Sequence, residues 1–134
     1  MNVEINKEQR ELISSKISLC LEFLKREVQP HIIDGDNVCV PIVDGLDLLI
    51  SNSEVYIRKT SVKYLVIEIE TSKKYYLERF ANNKSKKYIC DEVPEMAVVF
   101  LQNWDNVKKS LLDQVYAKNK VEEDLNNFVN NFHL

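Results

Sequence analysis

The chain has 134 residues, of which 45 % are hydrophobic and 29 % charged, a globular composition that excludes disordered and low-complexity classes. A domain of that length buries roughly two thirds of its unfolded surface, so folding demands neither a metal nor a disulfide. The formal net charge is −3, and the longest apolar stretches, 65–67 and 96–101, fall far short of the ~20 residues of a membrane span.

Met1-Asn2-Val3-Glu4-Ile5-Asn6 carries acidic and polar residues where an export signal would carry a basic and then an apolar region, so a soluble, cytoplasmic protein without membrane association is expected. Fourteen Lys against four Arg, together with thirteen Asn, suggest an AT-rich coding sequence of the kind found in low-GC bacteria and their phages. Over 6–28, Ile13, Ile17, Cys20, Leu21, Leu24 and Val28 recur at three and four residues, the stripe of an amphipathic helix. Asn6 and Gln9 have the spacing of a capping box, and Pro30 stops the helix. Cys20, Cys39 and Cys90 are odd in number and set among apolar neighbours, which predicts reduced core thiols.

Asp34-Gly35 and Asp44-Gly45 each lie between β-branched residues, a hairpin-turn signal because both residue types tolerate positive φ. Strands are predicted over 38–43 and 46–50 as an antiparallel pair. Pro41 donates no ladder hydrogen bond, which places the first at an edge or gives it a bulge. Three further strands are predicted over 54–59, 63–70 and 73–80 from period-two alternation, with Val55, Ile57, Leu65, Ile67 and Ile69 facing one way and Tyr56, Arg58, Glu68 and Glu70 the other.

Beyond a polar loop, Asp91 is the expected N-cap of a helix with Glu92, Pro94 and Glu95 in its first turn. Met96, Val99, Phe100, Trp104, Val107, Leu111 and Val115 keep helical spacing, as do Val121, Leu125, Phe128, Val129 and Phe132. An unbroken helix over 92–132 would extend ~60 Å, against a radius of gyration of ~14 Å for a compact domain of this length. Either it breaks near 118–120 and folds back, or its tail projects and Leu125, Phe128 and Phe132 meet a second copy in a homodimer. The fold class expected is α+β within one domain, 1–134: an N-terminal helix, an antiparallel meander of about five strands, and a long C-terminal helix or helix pair over 91–134 on one sheet face.

Charge is the most informative feature bearing on function. Residues 58–88 hold nine basic and three acidic side chains, a net of +6, while the rest of the chain nets −9. Such segregation predicts a positive surface that the overall charge conceals, built from Arg58, Lys59, Lys63, Tyr64, Lys73, Lys74, Tyr76, Arg79, Lys84, Lys86 and Lys87. Two ligands suit it. A larger, anionic protein partner would be steered by complementary charge, as for a small accessory or inhibitor protein. Single-stranded nucleic acid would use phosphate neutralisation and stacking on Tyr56, Tyr64, Tyr75, Tyr76 and Tyr88.

No catalytic residue, cofactor or metal ligand is assigned. Asp34, Asp36, Asp44 and Asp47 form two pairs at opposite ends of a strand, on the order of 20 Å apart, and turn chemistry accounts for them. Asp47, Glu68, Glu70 and Lys73 would be the parts of a metal-dependent nuclease, but the lysine is one place too far for the usual acid-x-Lys pattern. His31 and His133 lie in no nucleophile motif, and the chain's two glycines sit in turns, not in a phosphate loop.

Overall fold

The computed structural model describes residues 4–61 and 71–131. The first helix, α1 (Lys7–Glu27), starts at the expected capping box: Asn6 Oδ1 accepts from the Gln9 amide at 2.8 Å, and Gln9 Oε1 accepts from the Asn6 amide at 3.0 Å. Two of the four orphan donors of the helix start are thereby satisfied. Its apolar stripe, Ile17, Cys20, Leu21 and Leu24, is buried. Pro30 does end it, within a 3-10 turn over Gln29–His31.

Asp34-Gly35 forms a turn in which the Asp36 amide donates to Ile33 O at 3.0 Å and Gly35 has φ +88°. Among the described residues no strand precedes it, so it is not the hairpin its sequence suggested. Asp44-Gly45 is one: it joins β1 (Val38–Val43) to β2 (Leu46–Ile50), with Gly45 at φ +82°. A Cβ there would lie 3.2 Å from Thr60 O, so the turn needs glycine for closeness as well as for φ. β3 (Val55–Ser61) and β4 (Thr71–Tyr76) complete an antiparallel sheet of order β1-β2-β3-β4. Pro41 satisfies both of its constraints, lying on an edge strand beside a register shift between Pro41 and Val43.

The described sheet has four strands rather than five. β3 pairs directly with β4, Ser61 opposite Thr71, and the strand predicted over 63–70 falls outside the described residues. The last predicted strand, 73–80, ends at Tyr76. There the ladder is diverted: the Tyr76 amide donates to Lys87 O at 2.8 Å, and the Leu77 amide reaches back to Val55 O at 3.3 Å.

Across the sheet, Val40, Leu48, Ile57 and Tyr75 form a paired row, all buried. They share one core with α1 and with three C-terminal helices, α2 (Ile89–Glu92), α3 (Pro94–Gln102) and α4 (Trp104–Asn130). α1 packs against α3, and α4 against the edge strand β1.

The C-terminal segment breaks twice, though not where expected. Pro94 opens α3 at its first turn, where a missing N–H costs nothing, and keeps Val93 before it out of the helical region, at φ −144°, ψ 68°. Residues 89–92 are therefore a separate turn instead of the start of one long helix. The second break is Asn103, whose side chain donates to Val99 O at 2.8 Å and caps the departing end of α3. From Trp104 the helix then runs without interruption through 118–120 to Asn130.

Candidate functional site

The basic stretch is not one surface. Strand alternation sends Arg58, Lys74 and Tyr76 to the sheet face away from the Val40–Leu48–Ile57–Tyr75 row, while Lys59 and Lys73 lie opposite each other on the core-side face at its rim. Arg79 belongs to neither. It lies over the Tyr88 ring, 5.2 Å from the centroid, and lines a groove of about 490 Å³ beside α1 with Ser14, Lys25 and Glu78. Lys84 and Lys87 are exposed in the loop before α2. Lys63 and Tyr64 lie outside the described residues.

Folding also neutralises part of the +6. Arg58 Nη2 donates to Asp47 Oδ2 at 3.2 Å, Arg79 Nη2 to Asp91 Oδ1 at 2.8 Å, and Lys86 Nζ to Glu54 Oε1 at 3.0 Å. All three acids lie outside 58–88, so counting charge along the segment overstated the field the surface presents. The Asp47 hydrogen bond raises the Arg58 pKa above its usual value and keeps the guanidinium charged; its Nε is buried with no partner among the described residues.

Tyrosines fare similarly. Tyr75 and Tyr88 are 7 % exposed and belong to the core, and Tyr56 is 9 % exposed. Tyr88 holds its hydroxyl 2.9 Å from Ser14 Oγ, and burial pushes its pKa up to about 12. Tyr76 is half-buried between Tyr56, at 5.6 Å between centroids, and Phe80, at 5.2 Å. Cations already occupy these faces: Lys74 Nζ lies 4.9 Å from the Tyr56 centroid, and Lys86 Nζ 4.9 Å from Tyr76 and 4.3 Å from Phe80. Bases stack on exposed rings, and the described tyrosines of this stretch offer none.

The predicted core thiols divide as well. Cys20 and Cys90 are buried, and burial raises the Cys20 pKa to about 11. Cys39 is exposed because it alternates out of the core on the edge strand β1; all three are free thiols.

The other predicted contact is more coherent. On α4, Val107, Leu111 and Val115 are buried, whereas Val121, Leu125 and Val129 are 59, 59 and 67 % exposed. At 100° per residue these three return to within about 40° of Val107, so one apolar stripe passes from the core into solvent. Phe128, beside it, is 66 % exposed, and Phe132 lies outside the described residues. Glu122, Glu123 and Asp124 are exposed along the same segment.

A second surface escaped the sequence, because it is assembled from three helices. Lys16, Leu19, Cys20 and Phe23 of α1, Leu101 of α3, and Trp104 and Lys108 of α4 line an open, mainly apolar groove of about 340 Å³. Phe23 meets Trp104 edge-on at 5.7 Å, and Lys108 Nζ lies 5.7 Å from Phe23 and 5.9 Å from Trp104. Exposed Leu19, at 64 %, was the available signal, an apolar residue on the wrong side of its own helix stripe.

Among the described residues no cluster of three or more His, Cys, Asp or Glu is placed to hold a metal ion. Asp34 is engaged by the Asn52 side chain and Asp47 by Arg58, while Glu68 and Glu70 lie outside the described residues. No described helix is long and apolar enough to cross a membrane. Comparison with protein-family models, curated proteins and solved structures finds no match.

Proposed function

We propose that this protein is a protein-binding module whose docking element is the distal half of α4. One observation carries the reading: the helix stripe that is buried at Val107, Leu111 and Val115 continues on the same side into exposed Val121, Leu125 and Val129. A solvent-facing helix end usually turns polar on every side, and an amphipathic helix lays its apolar face into a groove when it binds. Glu122 and Asp124, on the two flanks of the stripe, select a receiving groove with an apolar floor and a basic rim.

The partition of the basic stretch supports the same choice. With Arg58, Arg79 and Lys86 paired to acids and the tyrosine rings buried or capped by lysine, the sheet is a weaker docking surface than the helix.

The test is capture of protein from a source lysate by wild type and by Leu125→Asp, after melting curves establish that both are equally folded. Proteins retained by wild type at low salt are lost with Leu125→Asp, and losing the acids through Glu122→Gln weakens their retention. Equal capture by wild type and Leu125→Asp overturns the reading.

A further inference from the structure

Resting on that reading, we infer that the distal half of α4 docks into the α1/α3/α4 groove of a second copy of this chain, forming a two-fold symmetric dimer with the two α4 helices antiparallel. The groove has the chemistry the tail selects. Leu19, Cys20, Phe23, Leu101 and Trp104 give it an apolar lining, and Lys16 and Lys108 give it positive charge. The tail supplies the complement, an apolar edge at Val121, Leu125 and Val129 flanked by Glu122 and Asp124.

The chain cannot satisfy itself. α4 is one unbroken helix from Trp104 to Asn130, and Glu122 stands fourteen residues beyond Lys108, which is ~21 Å along a rigid rod. No hinge lies between them to return the tail to its own groove. The same fourteen residues bring Glu122 to within about 40° of Lys108 around the helix. Two antiparallel copies therefore place Lys108 of one beside Glu122 of the other at both ends of the contact, as an isologous interface requires. Each apolar tail then covers the exposed Leu19 of its neighbour beside the Phe23–Trp104 pair, over which Lys108 lies within reach of the incoming Glu122.

Light scattering across a concentration series on the full chain tests this. Wild type dimerises. Leu125→Asp, at an exposed position where folding is not at risk, is monomeric. Lys108→Glu and Glu122→Lys each set like charges together at both ends and raise the dissociation constant about tenfold or more. An equimolar mixture of the two reversed proteins restores the dimer, because in the mixed pair both contacts join opposite charges again.

A wild type that stays monomeric at every concentration overturns self-docking, and the docking role of the tail then stands or falls on the capture experiment alone. A dimer abolished by Leu125→Asp but indifferent to both reversals overturns the groove as the receiving surface and leaves the tail as the docking element. A dimer unaffected by Leu125→Asp overturns self-docking through α4 altogether.

Discussion

The two halves of α4 are one helix with one apolar stripe and two different fates. Up to Val115 the stripe packs on the edge strand β1 and the shared core; beyond it, the same side of the same helix has Val121, Leu125 and Val129 more than half exposed. Hydrophobic spacing thus fixes the existence and rotation of a helix, while what meets the stripe depends on how far the rest of the fold extends. The core ends about fifteen residues before the helix does.

The sharpest way to break this comparison is to truncate one leucine in each half. Leu111 is fully buried, so Leu111→Ala leaves a cavity and should cost about 2–5 kcal/mol in urea unfolding. Leu125 is 59 % exposed, and Leu125→Ala in the monomer should change stability by no more than about 0.5 kcal/mol. Similar costs at both positions would mean that the distal half is buried within the monomer.

A proline separates the halves in a second way. Lys120→Pro removes a backbone donor and clashes with the preceding turn, at a cost of about 3 kcal/mol in a helix interior. The distal half should bear that cost locally: a segment of some fifteen residues is marginal as an isolated helix, so it frays while the core melts at its former temperature. Hydrogen exchange reads the result. Amides of 116–130 should already exchange faster than those of 107–115 in wild-type monomer, and faster still in the variant. Global destabilisation by Lys120→Pro would contradict the division.

How much of this was legible depended on the range of the interaction that decides each feature. Local chemistry was readable: the Asn6 and Gln9 cap, the Asp44-Gly45 hairpin and the irregularity beside Pro41 rest on contacts a few residues apart, and the α+β class on the periodicity within each element. Readings that summed residues along the chain fared worse. The +6 of 58–88 ignored Asp47, Glu54 and Asp91, which folding brings onto Arg58, Lys86 and Arg79 from outside the segment. Helical spacing puts Pro94 inside a helix start, whereas its effect on Val93 makes it the start of a separate helix, and Asn103 ends α3 with a side-chain hydrogen bond that no periodicity reveals. The α1/α3/α4 groove had no sequence signature, since its residues come from three separate helices.

Buried titrating groups distinguish the core from its surroundings at high pH. Cys20, with its pKa raised from 9.0 to about 11, and Tyr88, raised from 10.0 to about 12, both hold their protons more tightly folded than unfolded, chiefly because burial disfavours the anion. Their contribution is constant below about pH 9. As pH rises through the 9–12 window the unfolded chain loses protons first, and stability falls. Urea midpoints should therefore decline in that window, and Tyr88→Phe should lessen the decline. At pH 8 a thiol reagent should label exposed Cys39 in the folded protein, at a rate held down because partial burial and Asp47 raise its pKa, and reach Cys20 and Cys90 only on unfolding. Prompt labelling of all three would contradict the placement of Cys20 and Cys90 in the core.

The smallest effect concerns the sheet, where the charged surface carries a conflict that the helix lacks. Lys59 and Lys73 are directly opposite on β3 and β4, and Arg58 opposes Lys74 one step along on the other face. Like charges facing each other across a ladder are destabilising. Arg58 is relieved by Asp47, whereas neither Lys59 nor Lys73 has an ion-pair partner among the described residues. Lys73→Glu converts the exposed pair into an attractive one and should raise stability by about 0.2–1 kcal/mol. The gain should shrink as salt shortens the reach of surface charge. Lys74→Glu, beside the already compensated Arg58–Asp47 pair and at the cost of the cation over the Tyr56 ring, should gain less or nothing. If Lys73→Glu destabilises the fold while leaving Lys74→Glu neutral, Lys73 is held by an interaction of greater worth than its repulsion from Lys59, and the rim of the sheet joins the distal helix as a surface built for a partner.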